Sequence, residues 1–131
     1  VKLKIGFCTN DLPAVFRYLN ALLAKIPYDI FEAHQESYYH SILYLTFSLL
    51  GYYTQAEVHT SMGRLDAVVE TADHIFILEF KVDDTAEKAL QQIKDRKYYQ
   101  RYLDQDKPIY LIGVACNQKE MSEYLVEKWE A

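Results

Sequence analysis

The sequence predicts an α/β domain of three layers, α/β/α, in which helices cover both faces of a mixed four-stranded sheet. The predicted core order is α-β-β-β-α-β, with an extra N-terminal helix and a C-terminal helix. Strand-like runs joined by short turns occupy the middle of the chain, between segments with helical apolar spacing. A later run, 109–116, is apolar nearly throughout, as in a strand buried on both faces. At 131 residues, the chain is long enough for one core.

Helices are predicted first at the N-terminal side. Asp11 is a candidate N-cap and Pro13 suits a first helical turn, so an extra helix begins here and ends near Pro27. We assign 1–32 to an N-terminal helical extension and 33–131 to the main domain. The second helix, 33–50, carries one apolar stripe: Tyr39, Leu43, Phe47 and Leu50.

Strands are predicted at 53–60, 64–71 and 74–82. Their short connections make neighbouring strands antiparallel. A helix at 84–103 then leads to the fourth strand, 109–116, which must lie parallel to the third through a right-handed crossover. A last helix is predicted at 119–129.

The hairpin formed by the second and third strands carries opposed like charges. A turn centred on Ala72 and Asp73 places Asp66 opposite Glu79, and Arg64 opposite Lys81. Directly opposed side chains lie about 4.5–5.5 Å apart, where like charges destabilise the pair. The other face of the hairpin is apolar: Leu65, Ala67, Val69, Phe76, Leu78 and Phe80.

These charges have two interpretations. Either the charged face is exposed to solvent and diagonal salt bridges link ordinary surface residues, or the two acids share a proton or hold a cation. Helices predicted on both sides favour the second, because they cover both faces of the sheet. Hard carboxylate oxygens suit magnesium. Lys81, two residues from Glu79, would then lie beside the metal and bind a phosphate oxygen or orient a water.

The acids and the lysine also form a motif. Asp66, twelve further residues and then Glu79-Phe80-Lys81 resemble the D…(D/E)-x-K signature of the PD-(D/E)XK nuclease superfamily. Together with 63–66, 76–81 and 89–94, they closely resemble the branch found in bacteria behind an AAA-ATPase-like domain. The resemblance spans about 36–116. It implies a restriction-endonuclease-like fold and makes 33–131 a PD-(D/E)XK nuclease-like domain.

The resemblance also implies roles for the residues that match the motif. Asp66 and Glu79 match the metal-binding acids and Lys81 the catalytic lysine. The Phe80 carbonyl would complete the metal ligands, and the cofactor would be Mg²⁺ or Mn²⁺. Leu65 replaces the proline of the family name, which is a chemically minor departure.

Two helical residues match further catalytic positions of the superfamily. Glu36 matches the acid of the first core helix, as a catalytic residue and a metal ligand. Its alternative is a first-turn acid that complements the helix dipole. Gln92 matches a polar residue on the helix after the signature, where it could hydrogen-bond the attacking water or a phosphate. Its alternative is a boundary polar residue.

Bases and aromatics alternate in the segment 94–102, which is the best candidate for a nucleic-acid contact because bases neutralise phosphates and tyrosines stack on nucleobases. A solvated helix face is the alternative. His59, on the strand before the signature, is interpreted as structural, with an approach to Asp66 as its alternative. The predicted nucleic-acid-binding residues are Arg64, Lys94, Lys97, Tyr98 and Arg101.

The leading hypothesis is therefore a metal-dependent nuclease that acts on DNA. The rival is a non-catalytic docking module for an AAA-ATPase-like domain in the full-length chain. The net charge of −5 favours the rival, although a local basic groove is compatible with it. Two distant cysteines without metal spacing indicate reduced thiols, and no apolar run is long enough for a membrane span, so a cytoplasmic location is expected. The sequence does not determine the assembly state, for which a homodimer is one candidate.

Overall fold

The computed structural model describes residues 2–27, 35–61 and 64–130. None of the helices within these ranges is long and apolar enough to cross a membrane. In chain order, the elements are α1 (Lys2–Cys8), α2 (Leu12–Ala24), α3 (Gln35–Leu50), β1 (Gln55–Ser61), β2 (Arg64–Glu70), β3 (Ile75–Val82), α4 (Ala86–Arg96), a 3₁₀ helix (Tyr98–Tyr102), β4 (Ile109–Asn117) and β5 (Glu120–Lys128).

The strands form one mixed sheet in the order β1-β2-β3-β4-β5. The pairs β1/β2 and β2/β3 are antiparallel, as predicted. Strands β3 and β4 are parallel, which confirms the predicted parallel pairing of the third and fourth strands. The prediction of four strands is wrong, because the described part of the chain adds β5, antiparallel to β4, at the sheet edge.

Strand β5 replaces the predicted C-terminal helix, so that prediction is also wrong. Gln118 and Lys119 have positive φ angles of 51° and 68°, which fit a tight two-residue hairpin turn. This turn folds β5 directly back onto β4. The side chain of Asn20 on α2 then holds β5 in place, since its Nδ2 donates to the Met121 carbonyl at 3.3 Å and its Oδ1 accepts from the Met121 amide at 2.7 Å. Tertiary pairing overrides local helical preference here.

The helices differ from the predictions at their ends and in number. The Asp11 side chain caps α2 by accepting from the Ala14 amide at 3.2 Å, as predicted. However, α1 precedes α2 in the described residues, where the sequence predicted one extra helix. The helix predicted at 84–103 is interrupted at Lys97, whose φ of 56° ends α4 and begins the 3₁₀ helix. The division into 1–32 and 33–131 stays a prediction.

Two hydrophobic clusters lie on opposite faces of the sheet in the described residues, which gives the three layers. Helices α1, α2 and α3 cover the apolar hairpin face, whose predicted residues are all buried. Helix α4 and the 3₁₀ helix cover the other face. That second cluster is built around Ile75, Ile77, Ile93, Ile109 and Leu111.

Candidate active site

Asp66 and Glu79 are direct register partners on β2 and β3, which confirms the predicted pairing. On β3, Glu79 alternates with Leu78 and Phe80, which pack beneath α1–α3, so Glu79 faces the α4 layer. Only 5% of Asp66 and 1% of Glu79 is exposed. The interpretation of these acids as ordinary surface charges is therefore wrong. Two carboxylates lie side by side in the interior, between the sheet and the α4 layer.

The close packing of α4 on the sheet depends on Gly113. This residue is the β4 register partner of Glu79. A Cβ atom at this position would collide with the carbonyl oxygen of Ala86 and the backbone nitrogen of Leu90. Because Gly113 has no side chain, the backbone of α4 rests directly on β4, and the side chains at the end of α4 reach Glu79.

Arg96 makes the contact from α4 to the buried acid. Its Nη1 donates to Glu79 Oε1 at 2.5 Å, and its Nη2 donates to Gln92 Oε1 at 3.2 Å. The side chain of Arg96 is 31% exposed and that of Glu79 is 1% exposed. Gln92 was predicted at the site, whereas Arg96 was not. Its spacing of four residues from Gln92 puts both on one helix face and could have indicated it.

Lys81 lies on the same face of β3, two residues from Glu79. Its Nζ is 3.6 Å from Asp84 Oδ2, and its side chain is 15% exposed. Asp84 also accepts from the Thr85 amide at 2.8 Å, and that hydrogen bond, with the positive charges of Lys88 and Lys81, lowers the pKa of Asp84 below its ordinary value. Asp84 is thus an ionised partner that orients Lys81, a role that was not predicted from the sequence.

The predicted metal ligands are brought together in part. Asp66 and Glu79 supply hard oxygen donors from adjacent strands, which is the chemistry that magnesium prefers. The backbone of Glu36 lies in the first turn of α3, but its side chain is outside the described residues. Elsewhere in the described ranges, as here, no group of three or more His, Cys, Asp or Glu side chains is placed to hold a metal ion. The described side chains therefore supply two of the oxygen donors that a divalent cation would need, those of Asp66 and Glu79.

The residues predicted to bind nucleic acid do not lie together on one surface. Tyr98 and Arg101 line a narrow depression together with Asp66, and the Arg101 guanidinium lies 5.8 Å from the centre of the Tyr98 ring. Lys94 instead points to β5, where its Nζ is 2.7 Å from Glu127 Oε1. Lys97 is exposed at the end of α4. The side chain of Arg64 lies outside the described residues.

His59 also borders this depression. It is the register partner of Asp66 on β1, so the alternative of an approach to Asp66 is realised along the backbone. Its Nε2 lies 3.6 Å from Glu57 Oε2, and its side chain is 54% exposed. His59 therefore lies at the rim of the site rather than in its interior.

This arrangement defines a class of protein. A mixed sheet between helical layers, with opposed acids on neighbouring strands and a lysine two residues beyond the second acid, is a metal-dependent nuclease-like fold. The sequence model of the PD-(D/E)XK nuclease superfamily matches residues 34–124. The chain belongs to the PD-(D/E)XK nuclease superfamily.

A curated relative comes from Azotobacter chroococcum mcd 1 and is described as "Uncharacterized protein in vnfD 5'region". It is 37% identical to this chain over 119 residues, a stretch that covers 86% of this chain and 23% of the relative. The chain thus spans less than a quarter of the length of that relative. No solved structure matches the chain.

Proposed function

We propose that this domain hydrolyses phosphodiester bonds in DNA with the help of Mg²⁺ or Mn²⁺. The observation that carries the proposal is the pair of opposed, buried carboxylates, Asp66 and Glu79. Like charges opposed across a hairpin destabilise it, and burial of each charge adds a further cost. A metal-binding role gives a reason for keeping both acids, because a divalent cation offsets both effects.

The roles of the individual residues follow from their positions. Asp66 and Glu79 would hold the cation, with the Phe80 carbonyl and Glu36 as further ligands. When bound, such a cation supplies an acidified water and a positive charge that offsets the charge developing on the phosphate. Lys81, held by Asp84 on the same face of β3, would contact a phosphate oxygen or orient the attacking water. Gln92 would hydrogen-bond the same water or phosphate.

DNA would reach the acids over the depression beside Asp66. Tyr98 and Arg101 line it, so a ring for stacking and a guanidinium for a phosphate lie next to the proposed metal ligand. Arg101 is exposed, which leaves it available to a strand lying on this surface. Lys97 and Arg64 are proposed to extend the contact along the phosphate backbone.

A second candidate function is a non-catalytic docking module for an AAA-ATPase-like domain in the same full-length chain. The Arg96–Glu79 ion pair favours it, because a protein cation already neutralises the acid that the nuclease would use for metal. The net charge of −5 also supports it. The greater length of the Azotobacter relative is compatible with an additional domain. A cytoplasmic location and a homodimer stay predictions under both proposals.

The two functions are separated by a plasmid-nicking assay with Mg²⁺ or Mn²⁺. Wild-type protein should nick DNA, and Lys81→Met should fold, bind Mn²⁺ and cut nothing. Lys88→Met is the matched control, because Lys88 also pairs with Asp84, at 3.5 Å, but is 69% exposed and lies on α4. Cleavage retained in Lys81→Met would overturn the proposed role of Lys81. Metal binding without any cleavage by the wild type would favour the docking module.

A further inference from the structure

Arg96 and Glu79 form an ion pair at the candidate metal site. We propose that Arg96 neutralises Glu79 in the metal-free protein and releases it when a divalent cation binds, so that metal and guanidinium compete for one carboxylate. The inference rests on the metal site of the proposed function. It makes Arg96 a positioning residue that sets how tightly the site binds metal.

Glu79 needs a neutralising positive charge because it is buried. Glu79 is 1% exposed and lies opposite a second carboxylate, that of Asp66, which is 5% exposed. An ionised carboxylate inside a protein is costly unless a charge or hydrogen bonds compensate it. Arg96 Nη1, at 2.5 Å from Glu79 Oε1, supplies that compensation in the protein without metal.

Competition follows from charge. A divalent cation bound to Glu79 would lie within a few ångströms of the guanidinium, and at about 4 Å like charges repel strongly in a site shielded from water. The divalent cation and the Arg96 guanidinium therefore do not both bind the Glu79 carboxylate at full strength. One replaces the other.

The position of Arg96 permits its release without unfolding. Arg96 is the last residue of α4, and its side chain is 31% exposed, so the guanidinium has a short path to solvent. Lys97, which follows it, already leaves the helix with a φ of 56°. The Gln92 Oε1, at 3.2 Å from Nη2, offers a second contact that can hold the guanidinium after it leaves Glu79.

The test is calorimetric titration of Mn²⁺ into the wild type, Arg96→Gln and Lys94→Gln. Removing the competitor should tighten Mn²⁺ binding by about tenfold or more, the change expected for one hydrogen bond to a charged group. Lys94→Gln is the matched control on the same helix, since Lys94 pairs with Glu127 and not with the acids, and its affinity should equal that of the wild type. Mn²⁺ binding by Arg96→Gln that is equal to or weaker than that of the wild type would overturn the inference. The absence of Mn²⁺ binding by both the wild type and Arg96→Gln would overturn it as well.

A second measurement uses the wild type, in case Arg96→Gln does not fold. At low temperature, NMR signals of the Arg96 guanidinium should show slow rotation without metal and fast rotation in excess Mg²⁺. Slow rotation that persists in excess Mg²⁺ would overturn the inference.

Failure of this inference is distinguishable from failure of the proposed function. If a metal ion replaces Arg96 at Glu79 but the wild type cleaves no DNA, the proposed nuclease function is contradicted and the competition between metal and Arg96 is supported. Cleavage by a wild type whose Mn²⁺ affinity equals that of Arg96→Gln would support the nuclease and contradict the competition.

Discussion

Glu79 and Gly113 lie side by side in the parallel ladder of β3 and β4. The acid is covered by α4 because its neighbour has no side chain, and the same close approach brings Arg96 to the acid. The environment of the candidate catalytic carboxylate thus depends on a glycine that lies 34 positions later in the chain.

The first prediction is that Gly113→Ala destabilises the protein and disturbs the site. The added methyl would meet backbone atoms of Ala86 and Leu90, which cannot rotate away as a side chain can. Overpacking of this kind costs about 1–3 kcal/mol or more. Urea denaturation measures the loss, and Mn²⁺ titration should show an altered affinity. Gly6→Ala is the control: its methyl would lie 2.8 Å from the Val15 Cγ2, a side-chain atom that can shift, so a smaller loss is expected. Equal losses in the two variants would contradict the argument.

The second prediction concerns the acids without metal. Asp66→Asn and Glu79→Gln should each abolish Mn²⁺ binding, because each removes one of the two opposed oxygen donors. In the presence of EDTA, Asp66→Asn should be at least as stable as the wild type, since it removes a like-charge opposition. Glu79→Gln removes the same opposition but also the partner of Arg96, so it should be less stable than Asp66→Asn. Unchanged metal affinity in both variants would exclude this site.

The third prediction separates two bases that the sequence treats alike. Arg101→Gln should weaken DNA binding and lower the slope of log affinity against log salt by about one unit, because Arg101 borders the depression at Asp66. Lys94→Gln should have a smaller effect, because Lys94 is engaged with Glu127. Fluorescence anisotropy at several salt concentrations in Ca²⁺ measures both slopes. An equal reduction of the slope in the two variants would show that DNA contacts both α4, which carries Lys94, and the 3₁₀ helix, which carries Arg101.

The fourth prediction concerns the thiols and pH. Burial raises the pKa of Cys116 to about 12, whereas Cys8 is exposed. The folded state therefore favours the neutral thiol, and its contribution to stability is present below the unfolded pKa of about 8.5 and is lost as pH rises toward 12. A thiol reagent at pH 8 should modify Cys8 in the native protein and both cysteines in urea. Rapid modification of Cys116 in the native protein would contradict its burial.

Much of the site could be predicted from the sequence because its signals are local. The alternation of apolar and charged residues in 64–82 determines both the hairpin register and the face that carries Asp66 and Glu79. The signature residues lie on those two strands, with 12 residues between Asp66 and Glu79. Lys81 follows from the period of two, which places it on the same face as Glu79.

Other features were decided by contacts between distant residues. A helix was predicted where β5 lies, because an exposed edge strand carries little apolar alternation. The turn at Gln118 and the hydrogen bonds from Asn20 to Met121 hold β5 against β4. The Arg96–Glu79 pair depends on how closely α4 approaches the sheet, and that approach is set by Gly113 on another strand. Local patterns report which face a residue occupies. Only the packing of one element on another determines which charges meet, because that distance depends on the side chains of both.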